Sequence, residues 1–219
     1  YEKGIREVIF LDDHFLFSKE RVIKICDGLI KRNYDLTWKC VNLTGWLLDE
    51  ETIEKMHKSK CYQVTISVES GNQDVLLKLI RKPINLSRIP QILDMLKKRD
   101  FEVIVNFVIG TPHETWDQIR DTFAYAEKLN ADLINFHIAT PLPNTELTQT
   151  AIAEGLVPKD VFENEERLGY TTGAFSTNEF TPQELMILRA FEWDRINFRS
   201  EERKKTIAKM EGITLEELE

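Results

Sequence analysis

The chain is poor in cysteine and has no long hydrophobic run. Its 219 residues include three cysteines, Cys26, Cys40 and Cys61, whose spacings match no zinc or iron–sulfur ligand pattern. No apolar segment is long enough to span a membrane, and the first residues do not resemble a signal peptide. Positive charge is not in excess, and the net charge of −8 argues against non-specific nucleic-acid binding. We therefore expect a cytoplasmic protein with no metal held by its cysteines.

The composition, with 42% hydrophobic and 30% charged residues, is typical of a globular protein. The length fits one large domain, or a domain with an appendage. There is no G-x-G-x-x-G sequence, so a dinucleotide-binding Rossmann fold has little support.

Apolar segments alternate with amphipathic segments in the first two thirds of the chain. The predicted strands are Ile5–Leu11, Leu36–Asn42, Tyr62–Val68, Phe101–Ile109 and Asp132–Ile138. Helices are predicted between them, which indicates a parallel sheet with right-handed crossovers. Five units are too few for a closed eight-stranded barrel. We therefore predict an α/β fold, a partial TIM-like (β/α) barrel with parallel strands.

The sequence changes in character after Pro141. A short helix is predicted at 145–154, an irregular polar segment at 158–180, and a long helix that begins at a capping box of Thr181 and Glu184. We predict a barrel over residues 1–144 and a mostly helical C-terminal extension over 145–219. We also expect both ends to have been cut from a longer protein.

Residues 103–115 form the most informative segment, a strand that leads into a Gly-x-Pro turn and a helix. The strand is expected to be buried on both faces, as in a parallel sheet. Gly110 would let the backbone approach a ligand, and Thr115 with Gln118 forms a capping box. Turns of this kind carry the chemistry of many α/β proteins.

Polar side chains follow every predicted strand and are expected at one face of the sheet. They are Asp12-Asp13-His14, Asn42 with Thr44, Glu69-Ser70-Gly71-Asn72, Gly110-Thr111-Pro112, and His137 with Pro141-Leu142-Pro143. Asp12 and Asp13 could hold an ammonium group or a divalent cation, or could be solvated carboxylates at a helix entry. Glu69 must either accept hydrogen bonds from backbone N–H groups or meet a ligand. Asn106 and His137 could be satisfied inside the fold or point into a pocket.

Five segments, in this order, resemble the radical S-adenosylmethionine (SAM) superfamily, most closely the branch often fused to a cobalamin-binding domain. They are Val8–Phe15, Trp38–Asn42, Val64–Gly71, Phe107–Thr115 and Pro141–Leu147. The resemblance implies a partial (β/α)₆ barrel with SAM bound across the strand ends. The complete enzyme would reduce SAM through a [4Fe–4S] cluster to a 5′-deoxyadenosyl radical that abstracts hydrogen from a small-molecule substrate. With cobalamin it could instead transfer a methyl group.

The resemblance also implies a role for individual residues in binding SAM. Asp12 and Asp13 lie where the family contacts the methionine amino group, and Glu69 and Ser70 would face the ribose or the carboxylate. The adenine would be lined by backbone groups of Ile109, Gly110, Thr111 and Pro112. Asn106 could face the sulfonium side of the ligand. Asn42 and His137 complete the predicted set.

The sequence departs from the family at several positions. The Cys-x-x-x-Cys-x-x-Cys that holds the cluster is absent, as is the strand before it. We therefore do not expect this chain alone to cleave SAM, and its first strand would correspond to the family's second. Two glycines of the family are replaced by His113 and Asn144. Asparagine tolerates a left-handed backbone, whereas His113 fits if its backbone is not left-handed.

Two alternative functions remain open from the residues alone. Asp12, Asp13, Glu69 and His137 could be the ligands of a metal-dependent lyase or hydrolase. The chain could also be a non-catalytic interaction domain that keeps these motifs only for its fold. The interaction-domain hypothesis predicts an exposed apolar edge beside Ile5–Leu11, and a missing family strand would leave the same edge open to pairing or oligomerisation.

Overall fold

Five parallel strands form one open sheet in the computed structural model, which describes residues 1–158, 160–163 and 169–218. The strands are β1 Glu7–Phe10, β2 Thr37–Leu43, β3 Cys61–Glu69, β4 Glu102–Ile109 and β5 Leu133–Ile138. They lie side by side in chain order, and each pairs in parallel with the next. The predicted partial TIM-like barrel is therefore confirmed.

Helices connect the strands, as the sequence predicts, and others follow the sheet. They are α1 Lys19–Arg32, α2 Glu50–Lys58, α3 Ile89–Lys97, α4 Trp116–Glu127, α5 Glu146–Ala153, α6 Pro182–Asn197, α7 Glu201–Glu211 and α8 Leu215–Leu218. Both capping boxes are present, because Thr115 and Thr181 each exchange hydrogen bonds with the residue three positions later. The irregular segment predicted at 158–180 lies partly outside the described residues.

The segment after β3 is helical, as predicted, but it contains a π-helical turn at Val75–Leu79. The N–H of Ile80 donates to the carbonyl of Val75 at 2.9 Å, which closes the wider turn. Such turns are often found at functional sites. Here the turn delivers Arg81 and Lys82 above the carboxyl end of β3.

The two faces of the sheet are buried to different extents. In β4, Val103, Val105, Phe107 and Ile109 are fully buried against the helices. The alternate residues, among them Asn106, are only half-buried on the concave face. The expectation that this strand is buried on both faces is wrong, because the open barrel does not enclose its concave side.

The two edges of the sheet differ in how they are covered. At one edge, side chains of α6 pack on β5. The hydrophobic core includes residues from both sides of position 144, so the domain boundary between residues 144 and 145 stays a prediction. No strand of the described chain covers β1, beside which Ile9 and Leu11 are exposed. Oligomerisation through that edge also stays a prediction.

Within the described residues, no helix is both long and apolar enough to cross a membrane.

Candidate functional site

A cleft of about 230 Å³ opens at the carboxyl ends of β1, β2 and β3, and we call it the first cleft. It is lined by Asp13, Asn42, Leu43, Thr44, Trp46, Ser67, Glu69 and Lys82. The structure thus brings together Asp13, Asn42 and Glu69, three of the residues predicted to bind SAM. Its volume is below that of a typical small-molecule pocket, so it suits one part of a nucleoside-sized ligand.

The backbone is irregular where two of these residues enter the first cleft. Asn42 and Glu69 have left-handed φ angles of 61° and 72°. Register shifts in the sheet accompany both residues, between Cys40 and Leu43 and between Ser67 and Glu69. Bulges of this kind redirect side chains, and strained non-glycine residues concentrate at ligand sites.

Glu69 is paired with a lysine inside the first cleft. Nζ of Lys82 lies 2.5 Å from Oε1 of Glu69, and the Glu69 side chain is 14% exposed. Sequence reasoning expected backbone N–H groups or a ligand as its partner and missed Lys82. No periodic pattern marks Lys82, because the π-helical turn sets its position. Trp46 also lines this cleft.

Asp12 and Ser70 do not line the first cleft. Asp12 accepts hydrogen bonds from Arg21 at 2.5 Å and from the N–H of His14 at 3.1 Å. The guanidinium of Arg21, followed by the His14 N–H, lowers the pKa of Asp12. Ser70 is fully buried, and its hydroxyl lies 3.1 Å from that of Thr122 on α4. Both side chains therefore serve the local fold in this structure.

The side chain of Glu114, a residue that sequence reasoning missed, hydrogen-bonds the backbone of the Gly-x-Pro turn. The N–H groups of Gly110 and Thr111 donate to Oε2 of Glu114 at 2.8 and 3.0 Å. The carbonyl of Ile109 accepts from Ala139 N–H at 2.8 Å. Three backbone groups of the segment predicted to line adenine are thus already used within the protein.

Glu114 is itself an unusual carboxyl group. It is completely buried, and within the described chain its Oε1 has no hydrogen-bond partner. Burial raises the pKa of Glu114 to about 7, against the opposing effect of the two backbone N–H groups. The signal available in the sequence was an acidic residue four positions after Gly110, at the junction between a buried strand and a helix.

A second cleft of about 390 Å³ lies on the other side of Arg81 and Lys82, at the ends of β3, β4 and β5. It is lined by Lys78, Leu79, Ile80, Arg81, Thr111, Pro112, His113, Glu146, Leu147 and Thr150. The residues predicted to bind SAM are therefore divided between two neighbouring clefts. Arg81 donates to both carboxylate oxygens of Glu146 at 3.0 Å across this cleft.

This chain has His113 and Asn144 at two positions where the family has glycine, and both residues have a left-handed backbone. His113 has a φ angle of 70° and Asn144 one of 65°. The condition under which His113 was expected to fit is therefore not met, although histidine is among the residues enriched in this region. Its Nε2 lies 3.0 Å from Oε2 of Glu154, just after α5.

Asn106 and His137 lie on the concave face of the sheet, beside the first cleft. Asn106 pairs in register with Ser67, which lines that cleft, and its Oδ1 accepts from Asn135 at 3.3 Å. His137 is half-buried, and burial, followed by the charge of Arg189, lowers its pKa. A neutral imidazole therefore faces the interior of the open barrel near neutral pH.

The part of the chain that the structure describes does not assemble a metal site. Among the described residues there is no group of three or more His, Cys, Asp or Glu that could hold a metal ion. All three cysteines are buried, and burial raises the pKa of Cys40 to about 12, so the thiol stays protonated. These residues fit neither a [4Fe–4S] cluster nor the metal-dependent lyase or hydrolase hypothesis.

Comparison with known proteins shows one family. Residues 1–126 match the model of the radical SAM superfamily. An uncharacterized methyltransferase of Pyrococcus horikoshii is 32% identical over 157 residues, which are 72% of this chain and 34% of that protein. Cytidylyl-2-hydroxyethylphosphonate methyltransferase of Streptomyces wedmorensis is 30% identical and covers 78% of this chain and 33% of its own length. The chain thus spans about a third of these relatives.

A solved structure shows the same fold. The radical SAM methyltransferase TsrM of Kitasatospora setae, solved with cobalamin and a [4Fe–4S] cluster, superposes with a TM-score of 0.62 at 15% identity. The match covers 70% of this chain and 31% of that protein. The family match and the two relatives establish that this chain is a member of the radical SAM superfamily, with methyltransferases among its relatives.

Proposed function

We propose that the first cleft and the adjoining Gly-x-Pro turn form the SAM-binding face of a radical SAM methyltransferase. The observation that carries this proposal is the Glu69–Lys82 ion pair beside Asp13 in one cleft at the strand ends. The methionine end of SAM carries an ammonium and a carboxylate. Glu69 or Asp13 can bind the first group and Lys82 the second, through charge-assisted hydrogen bonds.

The reaction itself requires groups that this chain does not supply. SAM cleavage in this superfamily depends on an electron from an iron–sulfur cluster, and the cysteines of this chain do not suit such a cluster. Its thiolate ligands would have to come from outside the 219 residues. What these residues do is bind and orient SAM at the open end of the barrel.

The reaction we propose for the complete protein is methyl transfer, with cobalamin, which the TsrM structure holds, as a further cofactor. Two proteins at 30% identity or more are named as methyltransferases. One of them acts on a cytidylyl phosphonate, which makes an anionic small molecule a reasonable substrate class. The second cleft is the place we propose for such a substrate, whose anionic group would replace Glu146 as the partner of Arg81.

Titration of SAM into the 219-residue chain, followed by tryptophan fluorescence, tests the proposal. Because Trp46 lines the first cleft, we expect a saturable change that Trp46→Phe removes and Trp116→Phe retains. Lys82→Met should weaken binding by about tenfold or more, since it removes a charged hydrogen-bond donor. Glu20→Gln, an exposed substitution on α1, should leave binding unchanged.

Two results would count against SAM binding at this face. A titration without a saturable change would favour the non-catalytic interaction domain. Equal affinity in the wild-type chain and Lys82→Met would place the ligand somewhere other than the first cleft.

A further inference from the structure

Three polar side chains form a hydrogen-bonded row on the concave face. Nε1 of Trp193, on α6, donates to Oδ1 of Asn135 at 3.3 Å. Nδ2 of Asn135 donates to Oδ1 of Asn106, also at 3.3 Å. The register of the sheet continues this row from Asn135 through Asn106 to Ser67, at the wall of the first cleft.

The chemistry of Trp193 determines the direction of the whole row. An indole N–H can donate a hydrogen bond but cannot accept one. Asn135 must therefore turn its oxygen toward Trp193 and its amino group toward Asn106. Asn106 must in turn accept with its oxygen, which leaves its amino group facing Ser67. The two amide orientations are thus fixed by the network rather than chosen freely.

The amino group of Asn106 has no partner of its own. It makes no hydrogen bond with any part of the chain that the structure describes. The side chain is only half-buried, on the face that the open barrel leaves accessible. A donor that is oriented by two further residues and left unused beside a cleft is available to a ligand.

We propose that Trp193 and Asn135 are positioning residues, which hold Asn106 so that its amino group donates to an oxygen atom of the bound ligand. The inference deepens the proposed function and rests on it, because it assigns the chemistry of one contact with SAM. It differs from the expectation that Asn106 faces the sulfonium. An N–H dipole directed at a positive sulfur would be repulsive, whereas a hydroxyl or carboxylate oxygen is a good acceptor.

Hydrogen exchange of the Asn106 side chain, measured by NMR without ligand, tests the direction of the row. Asn135→Asp replaces the amide by a carboxylate, which only accepts. The new carboxylate would therefore accept from both Trp193 and Asn106, and Asn106 would turn its amino group inward. We expect fast exchange of this amino group in the wild-type chain and slower exchange in Asn135→Asp. Equal exchange rates in the two proteins would overturn the proposed direction.

SAM titration then tests the contact with the ligand. Asn135→Asp should bind SAM about tenfold more weakly, because the inverted amide presents oxygen to oxygen. Trp193→Phe removes the N–H donor together with part of the ring and should weaken binding by a smaller factor, whereas the same replacement at Trp116 should not weaken it. Trp193→Phe also keeps the test valid if Asn135→Asp fails to fold.

The outcomes for the two proposals are separable. SAM binding of equal affinity in wild-type and Trp193→Phe chains, together with equal affinity in folded Asn135→Asp, would overturn this inference and leave the proposed function intact. Absence of SAM binding to the wild-type chain would overturn the proposed function and, with it, the contact assigned to Asn106.

Discussion

The side-chain amide of Asn197 hydrogen-bonds both backbone groups of Ile134 at the edge of the sheet. The N–H of Ile134 donates to Oδ1 of Asn197 at 2.9 Å, and Nδ2 donates to the Ile134 carbonyl at 2.8 Å. Asn197 is fully buried at the end of α6. One side chain thus takes the place of a neighbouring strand, and it anchors the helix that carries Trp193.

Replacing this asparagine should destabilise the fold strongly. Asn197→Leu leaves two buried backbone groups without partners, so we expect the free energy of unfolding to fall by about 2–4 kcal/mol. Urea denaturation measures the change. The exposed Asn130→Ala should stay within about 0.5 kcal/mol of the wild-type chain. A loss below about 1 kcal/mol for Asn197→Leu would show that water or another group replaces the amide.

Gly110 is expected to resist substitution for two physical reasons. Its φ angle is +76°, and a Cβ atom there would lie 2.4 Å from Cδ1 of Leu185 on α6. Gly155 has a similar φ angle of +72° and nothing within 4 Å of such an atom. Gly155→Ala therefore measures backbone strain alone, about 1 kcal/mol. Gly110→Ala should lose more stability than that, by about 1–3 kcal/mol.

The double variant identifies the clash at Gly110. In a Leu185→Ala background the cost of Gly110→Ala should fall toward that of Gly155→Ala, as judged by unfolding free energies. An unchanged cost in that background would mean that Leu185 is not the obstacle.

His113→Gly should stabilise the chain, although it removes the contact between His113 and Glu154. Glycine adopts a left-handed backbone without strain, which is worth about 1 kcal/mol relative to a residue with a side chain. The lost His113–Glu154 pair is exposed and contributes little. Asn144→Gly should gain less, because asparagine tolerates this conformation. A rise in the thermal midpoint for His113→Gly is expected, and a fall would assign His113 a larger role in holding α5.

Glu114 should make stability depend on pH. Its pKa is about 7 in the folded protein, above the ordinary value of 4.5, because the group is buried. Folding therefore takes up a proton between these values. The stabilisation is complete below pH 4.5 and is lost as the pH rises through 7, by about 3 kcal/mol in all.

Glu114→Gln removes this titration while keeping an oxygen for the N–H groups of Gly110 and Thr111. Unfolding free energies between about pH 5 and 8 should therefore be flatter in Glu114→Gln than in the wild-type chain. Parallel pH profiles for the two proteins would show that Glu114 does not titrate in this range.

Much of the fold follows from local patterns in the sequence. The alternation of strands and helices predicts the parallel sheet, and the capping boxes at Thr115 and Thr181 fix where α4 and α6 begin. The burial of β4 was misjudged, because its apolar pattern does not reveal that the barrel is open on one side. The hydrogen bonds between Asn197 and Ile134 of β5 could not be predicted from local patterns, because the two residues are 63 positions apart.

The candidate site was only partly predictable for a related reason. Their positions at the ends of predicted strands correctly indicated that Asp13, Asn42 and Glu69 lie close together, and they line one cleft. It could not show that Asp12 turns to Arg21 or that Ser70 turns to α4, because side-chain direction depends on tertiary partners. Lys82 depends on the π-helical turn before it, which no periodicity in the sequence indicates.

The most direct test of SAM binding at the strand ends is a map of backbone amide NMR shifts during a SAM titration. Saturable shifts are expected at Asn42, Glu69 and Thr111, on the face that holds both clefts. Lys60 and Asp100, which precede β3 and β4 at the opposite end of the sheet, should not move. Shifts confined to that opposite end, or no saturable shift at all, would contradict a SAM site at the carboxyl ends of the strands.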